Sequence, residues 1–347
     1  MDKSVLKEDR YLFFADHGHL APCVWSDTQR QVVAEDGGKD AAACPEYLLP
    51  RFHEFMSNAN GADSDVVISD EWLSMPSSEI GLMNVLDDYF DPVIVIYYRH
   101  FFDWVLSSYY EWRLGIGVAA LESMRGKFRL VDFIRLFCSH LFESDVGHSE
   151  QRLLDLLDFP DYTYNSWKQY IKIPAYKDSV KIVNFHDGHV VKSFYCNVLN
   201  AEKACKLESD RLENNEPNKF PAEPIVPNYH VEMAMGLKWT NGLSSKERYY
   251  ELGEKYKEDM ARRGLLEGDL PRECLSHAET NMLLVVSLEY ERIMLPDHYS
   301  SGGEEEMRQH FASLLASGIF CSVDLEKLID SPKWHFLFEP FDEGLDV

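Results

Sequence analysis

Val93-Ile94-Val95-Ile96-Tyr97-Tyr98 constrains the fold more tightly than any other stretch of the chain. An unbroken apolar run rich in β-branched residues, with no polar alternation, suits a parallel strand covered on both faces. The run stops at Arg99, and Phe102, Trp104, Val105, Leu106 and Tyr109 then recur at helical spacing until Gly115 closes the helix. Upstream, Val66-Val67-Ile68-Ser69 reads as a second covered strand. Between the two, Pro76 suits a first helical turn, and Ile80, Leu82, Met83, Val85 and Leu86 form an apolar stripe that ends near Asp91-Pro92. Strand, helix, strand is a βαβ unit, which winds right-handed into a parallel sheet.

The rest of the chain supplies cover for that sheet. Tyr11 to Phe14 reads as a short strand and Cys44 to Met56 as a helix, with a polar, glycine-containing loop over 26–40 between them. Leu130 to Phe142 is amphipathic, Glu150 to Phe159 and Tyr162 to Ile173 read as helices, and Val180 to Phe185 is a third strand. A helix from Val190 to Leu207 grades into a polar stretch whose Pro217, Pro221, Pro224 and Pro227 mark a surface loop or insertion. After it, Ser244 with Glu247 and Ser276 with Glu279 make capping boxes for helices running to Arg263 and Leu295, followed by helices at Glu304 to Ile319 and Val323 to Ile329. The expected architecture is α/β, a central parallel sheet with flanking helices. Residues 1–207 form its core, 208–227 the polar loop, and 228–347 a helical portion packed on the same domain.

Charge narrows the partners. The chain of 347 residues is 45% hydrophobic and 27% charged, ordinary for a globular protein, but carries a formal net charge of −25. Phosphate backbones and anionic lipid surfaces would be repelled over most of such a surface, which argues against a nucleic-acid polymer or an anionic membrane as a general partner; the acidic surplus by itself reads as a solvated surface. A small anionic nucleotide can still bind at a local basic focus such as Arg99. The seven cysteines show no CxxC pairing, which suggests neither a zinc site nor a dense disulfide framework. Their odd number fits reduced buried thiols, with one or two bridges as the alternative. The charged N-terminus around Asp2, Lys3, Lys7, Glu8 and Asp9 is not a signal peptide, and no apolar run approaches a membrane span.

In open parallel sheets, ligands gather outside the carboxyl ends of the strands. Ser69, Asp70 and Glu71 end one strand here, Arg99 ends the next, and Ser107 and Ser108 lie in the helix that follows. An arginine fork, a serine hydroxyl and the positive end of a helix together suit a phosphate. The competing reading for Arg99 is an ion pair with Asp103 or Glu111; for Glu71 it is an N-cap or an exposed acid. His186 is a further strand-tip residue, read as a structural histidine. Trp104, Tyr109, Tyr110 and Trp112 read as core or pocket wall.

Tyr98-Arg99, Asp103-Trp104 and Ser107-Ser108-Tyr109, on this strand and helix, resemble the sulfotransferase family that uses 3′-phosphoadenylyl sulfate (PAPS), in particular its carbohydrate and Golgi-type branch and divergent algal and bacterial relatives. The likeness covers Val66 to Gly115 and reaches more weakly over Tyr162 to Asp187. It implies a P-loop nucleotide-binding fold in which Arg99 and Ser107 grip the 3′-phosphate of PAPS as co-substrate. The activity it implies is transfer of a sulfuryl group to a hydroxyl acceptor, possibly carbohydrate, with Glu71 as general base and Asp70 as the alternative. No metal enters this reading. Relatives commonly sit in the Golgi lumen behind an N-terminal anchor.

One feature departs from the family. Its 5′-phosphosulfate loop, a strand followed by a Lys- and Thr/Ser-containing turn, has no match between Met1 and Cys44. There Gly37-Gly38-Lys39 lacks a preceding apolar strand and reads as an exposed loop, and Ala15-Asp16-His17-Gly18-His19 lacks a lysine. The expectation is that the chain begins after the first βα unit or has lost the loop. The alternative function is therefore a non-catalytic relative, or a fragment, that keeps the clamp in a binding or structural role. A nucleotide kinase is disfavoured by the absence of both GxxxxGK and a metal-binding acid motif.

Overall fold

The computed structural model describes residues 11–13, 46–62, 64–68, 83, 86–115, 129–139, 168, 170–174, 176–186, 189–213, 229–238 and 246–338. In chain order the elements are β1 (Tyr11–Phe13), α1 (Leu48–Gly61), β2 (Asp65–Val67), β3 (Ile94–Tyr98), α2 (Phe101–Gly115), α3 (Leu130–Phe137), β4 (Val180–Asn184) and α4 (Val190–Ser193), which runs on as a π-helical turn, Phe194–Val198. They continue as α5 (Glu202–Glu213), α6 (Tyr229–Lys238), α7 (Lys246–Arg262), β5 (Arg272–Cys274), α8 (His277–Met294), α9 (Glu304–Ser317), β6 (Cys321–Val323) and α10 (Leu325–Asp330). The fold is mixed α/β and mostly helical. It divides into two compact units, each discontinuous in sequence: Met1–Arg99 with Leu157–Pro221, and His100–Leu156 with Ala222–Val347.

The first unit holds the parallel strands. β1 pairs with β2, Tyr11 opposite Asp65, and β3 pairs with β4 from Ile94 opposite Val180 to Tyr98 opposite Asn184. The described strands thus make two-stranded sheets, and β3 finds its partner in β4 rather than in β2. An unbroken apolar run marks a covered strand but says nothing about which distant strand it meets, so the neighbour of β3 is set by tertiary packing. The helix expected over 76–91 lies mostly outside the described residues.

Around these strands α1 buries Leu48, Phe52 and Met56, one face at helical spacing, against Val66, Ile68, Tyr89 and Phe90. A separate cluster joins Tyr11, Phe194, Tyr195, Ala201 and Ala204. Across it the Cys196–Cys205 disulfide ties the π-helical turn to α5.

Among the described residues the second unit is helical apart from β5 and β6, which pair antiparallel with Cys274 opposite Cys321. Those two cysteines form a second disulfide, so the bridged alternative holds over the reduced one, while Cys138 is a buried thiol that burial pushes up to about 12. Cys23 and Cys44 lie outside the described residues. The capping box expected at Ser276 is made: its backbone N–H donates to Glu279 Oε2 at 2.6 Å, and Glu279 N–H donates back to Ser276 Oγ at 3.2 Å. Gly318, at φ 74°, ends α9 in the left-handed conformation that glycine adopts without a Cβ penalty. The core of the unit gathers Tyr229, Met233, Tyr256, Met260, Val323 and Trp334. No helix among the described residues is long and apolar enough to cross a membrane.

One buried acid organises this core. Glu232 of α6 accepts hydrogen bonds at Oε1 from the Tyr109 hydroxyl, the Leu130 N–H and the Ser322 hydroxyl, each at 3.3 Å, and at Oε2 from the Val323 N–H at 3.1 Å. Val131 N–H donates to Ser322 Oγ at 3.0 Å, so the first amides of α3 are satisfied from α6 and β6 instead of by a local cap. Removing an acceptor from buried donors costs their desolvation, roughly 1–3 kcal/mol per group. Glu232→Ala should therefore lower the unfolding free energy in urea by roughly 3–5 kcal/mol, and Glu232→Gln, which keeps one acceptor oxygen, by less. Equal midpoints for wild type and Glu232→Ala would contradict this role.

Candidate functional site

At the carboxyl end of the β3–β4 pair, the Phe185 N–H donates to Tyr98 C=O at 2.8 Å and holds the two strand tips together. Arg99 follows β3 directly, and its guanidinium lies over the Phe185 ring, 4.2 Å from the centroid. Stacking uses the face of the guanidinium, whereas its hydrogen-bond donors lie in the plane. The His186 N–H donates to Asn184 Oδ1 at 3.0 Å, and its ring sits edge-on to Tyr98 at 6.5 Å.

Ser107 is half-buried on α2, in the second unit. Trp104 is half-buried and stacks on Phe101 one turn back along α2 at 5.9 Å, and Tyr109 is buried against Phe133 of α3 at 5.5 Å. Ser69, Asp70 and Glu71 lie outside the described residues, as does Gly37-Gly38-Lys39.

The most developed polar constellation is in the second unit and joins three helices. His100 precedes α2 and Asp103 lies in its first turn; Glu291 is on α8, His298 in the turn after it, and His310 on α9. Imidazoles and carboxylates alternate along a chain of contacts. His298 Nδ1 is 2.7 Å from Glu291 Oε1, and Glu291 Oε2 is 3.5 Å from His100 Nε2. On the other side of the ring, His100 Nδ1 is 3.1 Å from Asp103 Oδ2, which is 3.0 Å from His310 Nε2.

The middle of this chain is shielded and its ends are not. Glu291 is 0% exposed and His100 6%, whereas the His298 and His310 side chains are 40% and 42% exposed. Burial alone would drive the His100 imidazole towards its neutral form, but the hydrogen bonds to Asp103 and Glu291 outweigh it and raise the pKa. For Glu291, burial favours the neutral acid, yet the two imidazoles prevail and lower it.

Local structure aims these groups. Phe102 N–H, at the start of α2, donates to the buried Ser287 hydroxyl at 3.2 Å, and Ser287 donates to Leu283 C=O at 2.9 Å, which fixes α2 on α8. Phe102 also packs on Phe311 with centroids 4.9 Å apart, seating α9 beside α2. Pro296 opens the turn that carries His298, and Gly302 at φ 125° completes the reversal into α9. Only the His100 and Asp103 pair is local in sequence, and it fits the i, i+3 geometry of a helix start. The other three groups share no spacing motif with them.

No family model, no curated protein and no solved structure matches this chain.

Gly303 closes against the Glu291–His298 pair so tightly that a Cβ there would run into Glu291 Oε1 and His298 Nδ1. Gly303→Ala should therefore force the pair apart and lower stability by roughly 1–3 kcal/mol, the usual cost of overpacking. Thermal and urea denaturation of the two chains would show it, and an unshifted midpoint would count against the closeness of this contact.

Proposed function

We propose that this chain is a sulfotransferase-like protein that binds PAPS and transfers its sulfuryl group to a hydroxyl, with carbohydrate as the candidate acceptor class. The observation that carries the reading is Arg99 at the carboxyl end of β3, in a parallel pair with β4 and followed at once by α2. That strand, arginine and helix order, with Asp103-Trp104 and Ser107 on the helix, is the one the resemblance requires. In this reading the two parallel pairs belong to a central sheet of the P-loop nucleotide-binding type.

Arg99 and Ser107 are the donors assigned to the 3′-phosphate, which holds the nucleotide in place without reacting. At the other end of the donor the S–O bond to the 5′-phosphate breaks as the acceptor oxygen bonds to sulfur. The acceptor proton goes to a carboxylate, Glu71 or Asp70, and 3′-phosphoadenosine 5′-phosphate leaves. The two disulfides favour an oxidising compartment, in keeping with the lumenal setting of the Golgi-type branch.

A second reading, a non-catalytic relative that binds the nucleotide through Arg99, rests on the lack of a lysine-bearing loop match between Met1 and Cys44. Calorimetric titration of 3′-phosphoadenosine 5′-phosphate into the full chain tests what both readings share. Micromolar binding is expected, weakened at least tenfold in Arg99→Ala, a loss of about 1.4 kcal/mol or more. Absence of binding by the folded wild-type chain would sink both. Sulfation of a hydroxyl acceptor from PAPS would then separate enzyme from binding protein.

A further inference from the structure

We propose that His100, Asp103 and His310 of the second unit form a binding site for a divalent transition metal, with Zn²⁺ or Co²⁺ as the expected ion. This goes beyond the metal-free reading above and does not depend on the nucleotide site. Three observations carry it: the spacing of the ligand atoms, the position of His100 between two carboxylates, and the support behind the ligands.

Ligand atoms that share a tetrahedral ion at bonds of about 2.1 Å lie roughly 3.3–3.5 Å from one another. Asp103 Oδ2 stands 3.1 Å from His100 Nδ1 and 3.0 Å from His310 Nε2, so two of the three edges are already close to that length. The two imidazole rings have centroids 5.8 Å apart at an interplanar angle of 45°. Ligation by both imidazoles requires the 42% exposed His310 side chain to turn towards His100, which closes the third edge.

A neutral imidazole has one N–H and one lone pair. His100 meets a carboxylate at each ring nitrogen, Asp103 at Nδ1 and Glu291 at Nε2. One of those contacts sets a lone pair against an anion unless a cation lies between them. A second imidazole, His310, then meets the same Asp103 oxygen. Protons can fill these positions, and a divalent ion at Asp103 Oδ2 answers both contacts at once.

Behind the ligands stands the arrangement that tunes a metal-bound histidine. Glu291, fully buried, takes the Nε2 side of His100 and thereby turns the Nδ1 lone pair towards Asp103, a carboxylate–histidine–metal relay. Glu291 is itself held by His298 at 2.7 Å. Two imidazoles and one carboxylate suit zinc, cobalt or iron, and disfavour calcium and magnesium, which take oxygen ligands. Water would complete the coordination at the exposed His310 side, so the site is of the open type that binds or activates a small ligand.

The test is titration of Co²⁺ into the full chain after removal of metals with a chelator, followed by visible absorption and calorimetry. The expected result is one equivalent bound with the absorption of a four- or five-coordinate ion. Binding should weaken at least tenfold in His310→Ala and in Asp103→Asn, and stay unchanged in His277→Ala, which removes an exposed histidine elsewhere in the unit. Circular dichroism checks the fold of each variant. If Asp103→Asn unfolds, the surface variant His310→Ala decides alone. No saturable Co²⁺ binding by the folded wild type, or equal affinity in wild type and His310→Ala, overturns the site and leaves the five residues as a hydrogen-bonded chain.

Discussion

A buried carboxylate must have its oxygens met by donors, and the second unit is built around meeting that condition twice. Glu232 is met by neutral donors: a phenol, a hydroxyl and two backbone amides. Glu291 is met by two imidazoles. Without these partners, taking either charge out of water would cost several kcal/mol, a large part of the stability of a typical domain. The donors to Glu232 come from α2, α3 and β6, and those to Glu291 from His100 ahead of α2 and His298 after α8.

The difference in partners separates structure from chemistry. Hydroxyl and amide donors to Glu232 have no second protonation state near neutral pH, so that centre is a fixed joint between α3, α6 and β6. Imidazoles change charge near neutrality and are also ligands for metals. The Glu291 centre runs from a buried middle to exposed ends, whereas the Glu232 centre is enclosed by α2, α3 and β6.

In the first unit the organising constraint is the short parallel pair β3–β4. Ile96, Tyr98 and Val183 are buried along it, and the strand tips are locked by the Phe185 amide and the Arg99 stack. Backbone pairing makes a tip rigid, and a rigid tip is what a single arginine needs to present donors in a defined direction.

What was legible in the sequence follows from the range of the interactions concerned. The order of strand, Arg99 and helix was readable because apolar periodicity is local, and so were the Ser276–Glu279 capping box and the helix near Val323 to Ile329. The odd cysteine count left bridging open; the antiparallel register decided it by setting Cys274 opposite Cys321. The choice of β4 as the partner of β3 spans more than eighty residues of chain, and no local pattern encodes it. The same holds for His100, Asp103, Glu291, His298 and His310, scattered over three helices and unremarkable one by one. By itself the sequence determined the strand that ends at Tyr98, the helix after Arg99 and the capped helix at Ser276, but not β5, β6 or the break in the helix expected over Val190 to Leu207. Only the tertiary structure decided which distant groups meet, because desolvation and charge pairing act between neighbours in space, whatever their distance along the chain.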